Sequence, residues 1–343
     1  MLPVGVATGI GSMPGTDAAE TAAIVLGEVP RLPYLPELPA RGVGADLLGR
    51  SAALLVDIAV EFVPTGYRVT AHTGAEHRRA VDLMRWDLDA VEEAVQRAGA
   101  APEVIKTQVA GPWTLAAGIE LSRGHRVLTD RGALRDFTAS LVEGVREHVA
   151  ELAKRTGAAV VVQLDEPTLP AVLAGALPTA SGYGTVSAVP GPDARELLAS
   201  VIDPLGAATG EPVIVHCCDP RPPVSLLHRA GAGGLALDAT TLGGAPGVLL
   251  DELGEAWDDG VVLLLGLVPP LEPHGGPPSS LRDLARPAFG LADRLGFNRD
   301  MLRERAIATP ACGLAGASAE WMRRALNLST DLAKAFVEPP EEW

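Results

Sequence analysis

Residues 213–218 read Val213-Ile214-Val215-His216-Cys217-Cys218. Three β-branched apolar residues favour a short buried strand, and the strand runs directly into three side chains that bind metals. The same plan recurs on both sides of it: a short apolar run, bounded by Gly, Pro or charge and mostly followed by an amphipathic segment. Strands are predicted at 4–9, 32–37, 104–109, 159–164, 213–216, 234–237, 261–265 and 307–309. Helices are predicted at 17–26, 46–61, 88–98, 134–156, 192–208, 246–257, 280–295 and 317–335, with Asp17, Asp46, Ser280 and Ser318 as caps or first-turn residues. Eight such repeats in 343 residues fit one (β/α)₈ TIM barrel over residues 1–343. An inserted hairpin is expected near 60–72, around Pro64-Thr65-Gly66. A doubly wound sheet is the alternative, but the turn Gly9-Ile10-Gly11-Ser12-Met13-Pro14 places a proline where a phosphate-binding helix would begin. Pro30, Pro33, Pro36 and Pro39 recur every third residue and read as a rigid strand-end loop, and 269–280 reads as a mobile loop.

Composition narrows the function. The chain has 28 Lys+Arg against 43 Asp+Glu, a net charge of −15, which argues against nucleic acid and against anionic membrane surfaces. The hydrophobic fraction of 47% supports a large core. The longest strongly apolar run, 261–271, is broken by Gly266, Pro269 and Pro270 and falls short of the roughly 20 residues a membrane span needs. The N-terminal MLPVGVATGIGSMPG lacks a basic region and is not expected to be a signal peptide. Three cysteines cannot all pair, which points to a reducing, cytoplasmic setting.

In a barrel of this kind the chemistry gathers where strands end. His216 and Cys218 are two apart and project to the same side. Cys312 follows the last strand, in Thr309-Pro310-Ala311-Cys312-Gly313-Leu314. One imidazole and two thiolates suit tetrahedral zinc, and Asp238, ending the sixth predicted strand, offers a fourth ligand. Cys217 points the other way and reads as packing. Gln163-Leu164-Asp165-Glu166-Pro167 ends the fourth strand with two adjacent acids; one can face the barrel mouth while the other pairs structurally. Glu37 stands at the same rim. His72, His77, His125, His148 and His228 read as surface residues, and Arg41 and Arg50 as a solvated salt-bridge face.

These motifs, with Ile10-Gly11-Ser12-Met13-Pro14 and Ala110-Gly111-Pro112-Trp113-Thr114-Leu115, occur in an order that resembles the C-terminal catalytic domain of cobalamin-independent methionine synthase. The resemblance runs along nearly the whole chain. It implies a barrel of the uroporphyrinogen decarboxylase/methionine synthase type and a zinc-activated homocysteine thiol. His216, Cys218 and Cys312 would be zinc ligands, with Asp238 where the family has Glu. Ile10, Ser12 and Asp165 would contact the amino-acid end of homocysteine, and Glu37 its amino group, so that Asp165 and Glu37 carry the positioning. Two departures stand out. The family's second, N-terminal barrel is not expected within 343 residues. The family's proton-transfer His at the end of strand seven has no counterpart in Leu265-Gly266-Leu267-Val268-Pro269-Pro270, with His274 only downstream. The methyl donor therefore stays open between methyltetrahydrofolate and a methylcorrinoid, free or protein-bound. Two further readings remain: a methylcobamide-dependent methyltransferase acting on another small thiol, and a non-catalytic barrel that binds zinc or an amino acid. A metal-free decarboxylase of the uroporphyrinogen type would leave His216, Cys218 and Cys312 unexplained.

Overall fold

The computed structural model describes residues 2–273, 276 and 280–338. In chain order the elements are α1 (Ala18–Glu28), α2 (Leu47–Ala52), β1 (Ala59–Val63), β2 (Gly66–Thr70), α3 (Ala75–Ala98), β3 (Val104–Ala110), α4 (Pro112–Gly118), β4 (Ile119–Glu120), α5 (Arg131–Thr156), β5 (Ala159–Asp165), α6 (Leu169–Ala174) and α7 (Gly191–Thr209). They continue with β6 (Ile214–His216), α8 (Val224–Arg229), β7 (Gly234–Asp238), α9 (Gly247–Asp258), β8 (Val262–Val268), α10 (Leu281–Leu295), α11 (Asp300–Arg305), β9 (Ala306–Pro310) and α12 (Ala319–Val337).

Six strands form a parallel sheet in the order β3-β5-β6-β7-β8-β9. Residues expected as the first two barrel strands do not form regular ladders. Isolated parallel bridges join them instead: Ala7 to Ala308, Ser12 to Glu37, and Tyr34 to Lys106. Backbone bonds at each bridge carry the ring from β9 through residues 5–13 and 33–37 to β3: Thr8 N to Ala308 O at 3.2 Å, Met13 N to Glu37 O at 2.8 Å, and Leu35 N to Lys106 O at 2.8 Å. In the second segment Pro33 and Pro36 have no N–H to donate, and in the first Gly5 leaves the extended region with a φ of 61°.

The barrel interior is graded. Val6, Leu32, Val104, Val161, Ile214, Val262, Leu264 and Ile307 fill one end as an apolar plug. Further along the same strands the inward positions turn polar, at Lys106, Gln108, Gln163, Asp165 and His216, all buried. A second, larger apolar layer lies between the strands and the surrounding helices. Asp17, Asp46, Ser280 and Ser318 cap α1, α2, α10 and α12 with their side chains.

The helix expected over 46–61 ends early. α2 stops at Ala52, Asp57 takes a positive φ of 60°, and β1 pairs antiparallel with β2 in a hairpin in which Val63 opposes Gly66. The β-branched and aromatic residues Val60, Phe62 and Val63 favour the strand over a fourth helical turn. No described helix is long and apolar enough to cross a membrane. The 269–280 stretch lies partly outside the described residues.

Candidate metal centre

The end of β6, the residues after it and the turn after β9 bring three predicted ligands together. One ligand atom each from His216, Cys218 and Cys312 lie within 4.8 Å of one another. Cys218 Sγ and Cys312 Sγ are 3.6 Å apart, and all three cysteines are free thiols. Two thiolates on one tetrahedral zinc, at about 2.3 Å each, stand roughly 3.8 Å apart, so the pair already has the spacing of a shared ion. The hydrogen bond between the two thiols pulls Cys312 down to about 6 and pushes Cys218 up.

The imidazole completes the fit. His216 Nδ1 lies 2.9 Å from Asp165 Oδ1, and Gln163 Nε2 donates to the same oxygen at 2.7 Å. A carboxylate only accepts, so Nδ1 carries a proton, and in the neutral ring the lone pair is at Nε2. That Nε2 is buried with no hydrogen-bond partner, a costly state unless a ligand takes the lone pair.

The acids of 163–167 divide as alternation requires. Asp165 faces the imidazole. Glu166 faces outward and caps α4, accepting from Trp113 N at 3.0 Å and from Thr114 N and Oγ1 at 2.8 and 2.7 Å. Burial pushes its carboxyl up to about 7. Cys217 is fully buried in the outer core, where burial pushes its thiol up to about 12.

Asp238 does not join the group. Its carboxylate closes the turn after β7, accepting from Thr240 N at 2.9 Å and Thr240 Oγ1 at 2.5 Å. The short side chain is satisfied locally by its own turn and is not drawn to the thiols. Glu37 and Ser12 meet at the seam of the ring, paired by the parallel bridge between their backbones. Burial pushes the Glu37 carboxyl up to about 7 against the pull of Arg50 and Lys106. Leu314 N donates to Ser12 O at 2.8 Å, and a Cβ on Gly313 would lie 2.0 Å from Ser12 Oγ. Glycine at 313 thus lets the turn holding Cys312 close against Ser12. Gly266 serves that turn from the other side, since a Cβ there would meet Ala311 Cα at 2.6 Å. Ile10 contributes its carbonyl, which accepts from Lys106 Nζ and Gln163 Nε2. His274 lies outside the described residues.

Two surface expectations are corrected. Arg41 and Arg50 are not solvated; both bond the buried Asp87, and Arg50 Nε comes within 3.9 Å of Glu37 Oε1. His148 is buried, its Nε2 3.0 Å from Thr107 Oγ1. Lys106 was not foreseen in the site. Its signal was the alternation Lys106, Gln108 along a strand bounded by valines at 104 and 109.

A family model described as the catalytic domain of cobalamin-independent synthase matches residues 5–335. No curated protein matches. Among solved structures, a B12-independent methionine synthase from Shewanella sp. W3-18-1, in complex with selenomethionine, aligns with a TM-score of 0.58 at 11% identity, covering 98% of each chain. At that identity the likeness is one of fold. A GH113 β-mannanase from Alicyclobacillus acidocaldarius aligns at a TM-score of 0.46 and 14% identity over 97% of each chain.

Proposed function

Since the chain belongs to the cobalamin-independent synthase catalytic-domain family, a family of methionine synthases, we propose that it is a zinc-dependent methyltransferase that converts the thiol of homocysteine to the thioether of methionine. The observation that carries the reading is the buried, unpartnered His216 Nε2 facing two thiols at metal-ligand spacing. His216, Cys218 and Cys312 would hold the ion and leave one tetrahedral position for the acceptor. Zinc bound there would supply the positive charge that keeps an acceptor thiol deprotonated and nucleophilic at neutral pH.

The chain's own residues do the positioning. Asp165 fixes the tautomer and direction of His216. Asp165 and Glu37, with Ser12 at the seam, line the side where the acceptor's amino end would lie, so that two carboxylates face one ammonium. The donor is methyltetrahydrofolate or a methylcorrinoid.

The test is elemental analysis followed by a donor screen. About one zinc per chain is expected, as a single tetrahedral site requires. Methionine should form from homocysteine with one of the two donors. Zinc-free protein that retains full methyl transfer overturns the proposal, as does zinc-loaded protein that methylates only other thiols.

A further inference from the structure

Lys106 is fully buried in the middle of β3. Three oxygens close on its ammonium: Ile10 O at 3.0 Å, Gln108 Oε1 at 3.0 Å and Gln163 Oε1 at 2.8 Å. The Tyr34 ring flanks it, with the centroid 5.3 Å from Nζ. A lysine ammonium has three protons and no lone pair. Three acceptors therefore satisfy it, and each neighbouring amide must present its oxygen.

That requirement sets the direction of both amides. Gln163, with its oxygen on Lys106, turns its NH₂ to Asp165 Oδ1 and Ile10 O. Gln108, likewise held, turns its NH₂ to Leu35 O, beside the Glu37 carboxyl, whose pKa it lowers. Without the cation either amide could rotate by half a turn at no cost in volume, and its oxygen would then face a carboxylate. Arg50 reaches Glu37 from the other side, but its guanidinium is committed to Asp87. Burial pushes Lys106 down to about 8, while Asp165 and Glu37 hold it up, so it remains a cation at neutral pH.

We propose that Lys106 is a positioning residue that sets specificity: through Gln108 and Gln163 it keeps Glu37 and Asp165 aimed at the acceptor's α-ammonium, so that the site takes an amino-acid thiol in preference to the same thiol without its amino group. The inference rests on the proposed function, in which those two carboxylates receive the amino end. None of Lys106's three hydrogen-bond partners belongs to the His–Cys group, which the lysine reaches only indirectly, through Gln163 and Asp165.

The test is calorimetric titration of the zinc-loaded full chain with methionine and with its des-amino analogue 4-(methylthio)butanoate. The wild-type protein is expected to prefer methionine. Lys106→Met should weaken methionine by roughly tenfold, the scale of one charge-assisted contact, and leave the analogue within about threefold. Both proteins are titrated at saturating zinc, so that any loosening of the ion through Gln163 and Asp165 does not enter the comparison. Equal weakening of both ligands, or of neither, overturns the inference. Should Lys106→Met fail to fold, Gln108→Leu keeps the lysine and cuts one link; it should narrow the same preference, and an unchanged preference overturns the inference. Wild-type protein that shows no preference for methionine overturns the proposed function together with it.

Discussion

Asp165 and His216 stand opposite each other on neighbouring parallel strands, and the 2.9 Å bond between them ties the acidic side of the barrel mouth to the thiol cluster. One carboxylate thereby serves both halves of the site. Asp165→Asn should lower zinc affinity by about 10–100-fold, the usual effect of removing a partner that orients a ligating histidine. Competition against a chromophoric chelator measures it. Unchanged affinity would show that His216 is held some other way.

The cysteines should separate cleanly. Cys218→Ser and Cys312→Ser are each expected to drop the zinc content well below one per chain, because two ligands remain. Cys217→Ala should keep the metal and lose about 1–2 kcal/mol of stability, from the small cavity it leaves in a fully buried position. Metal analysis and thermal unfolding on the same samples decide both points.

Asp238→Ala should retain zinc. The carboxylate is engaged with Thr240, so its loss should cost about 1 kcal/mol through the turn after β7. Loss of the metal in this variant would make Asp238 a ligand that leaves its turn when zinc binds.

His148 predicts an acid-sensitive contribution to stability. Burial, with Arg50 nearby, lowers its ring from 6.5 to about 4. The unfolded chain therefore binds a proton that the folded chain refuses. The contribution is fully present above pH 6.5 and is lost as pH falls toward 4, up to about 3 kcal/mol. Glu37 and Glu166 titrate in the opposite sense over part of that window, so the measurement is a comparison. Relative to wild type, His148→Gln should gain unfolding free energy steadily from pH 6.5 to 4. A pH-independent difference would show that the ring is solvated.

Strands β3 and β5 to β9 could be read from sequence to within a few residues, because fully buried parallel strands are short apolar runs between turn residues. The grouping of His216, Cys218 and Cys312 was legible for a related reason: strand ends converge in a barrel, so residues far apart could be assigned to one rim. The early break of α2 was less visible, since 46–61 is apolar enough for either a helix or a strand and only the pairing of β1 with β2 decides. The burial of Arg50 and His148 depends on Asp87 and Thr107, partners tens of residues away that no local pattern identifies. Lys106 carried a local signal, a charge inside a strand with no exposed residue, but its three acceptors come from three separate segments.

The bridge between Ala7 and Ala308 imposes an order on assembly. β5 and β6 are near in the chain and can pair early, carrying Asp165 and His216 with them, whereas residues 5–13 have no barrel neighbour on that side until β9 exists. Contacts of such long sequence separation form late. Ser12 and the turn with Cys312 therefore meet only when the ring shuts, and a chain halted before β9 has His216 and Cys218 but lacks Cys312. The His–Cys group is then complete only in the finished barrel, and residues 5–13 are among the last to find their place.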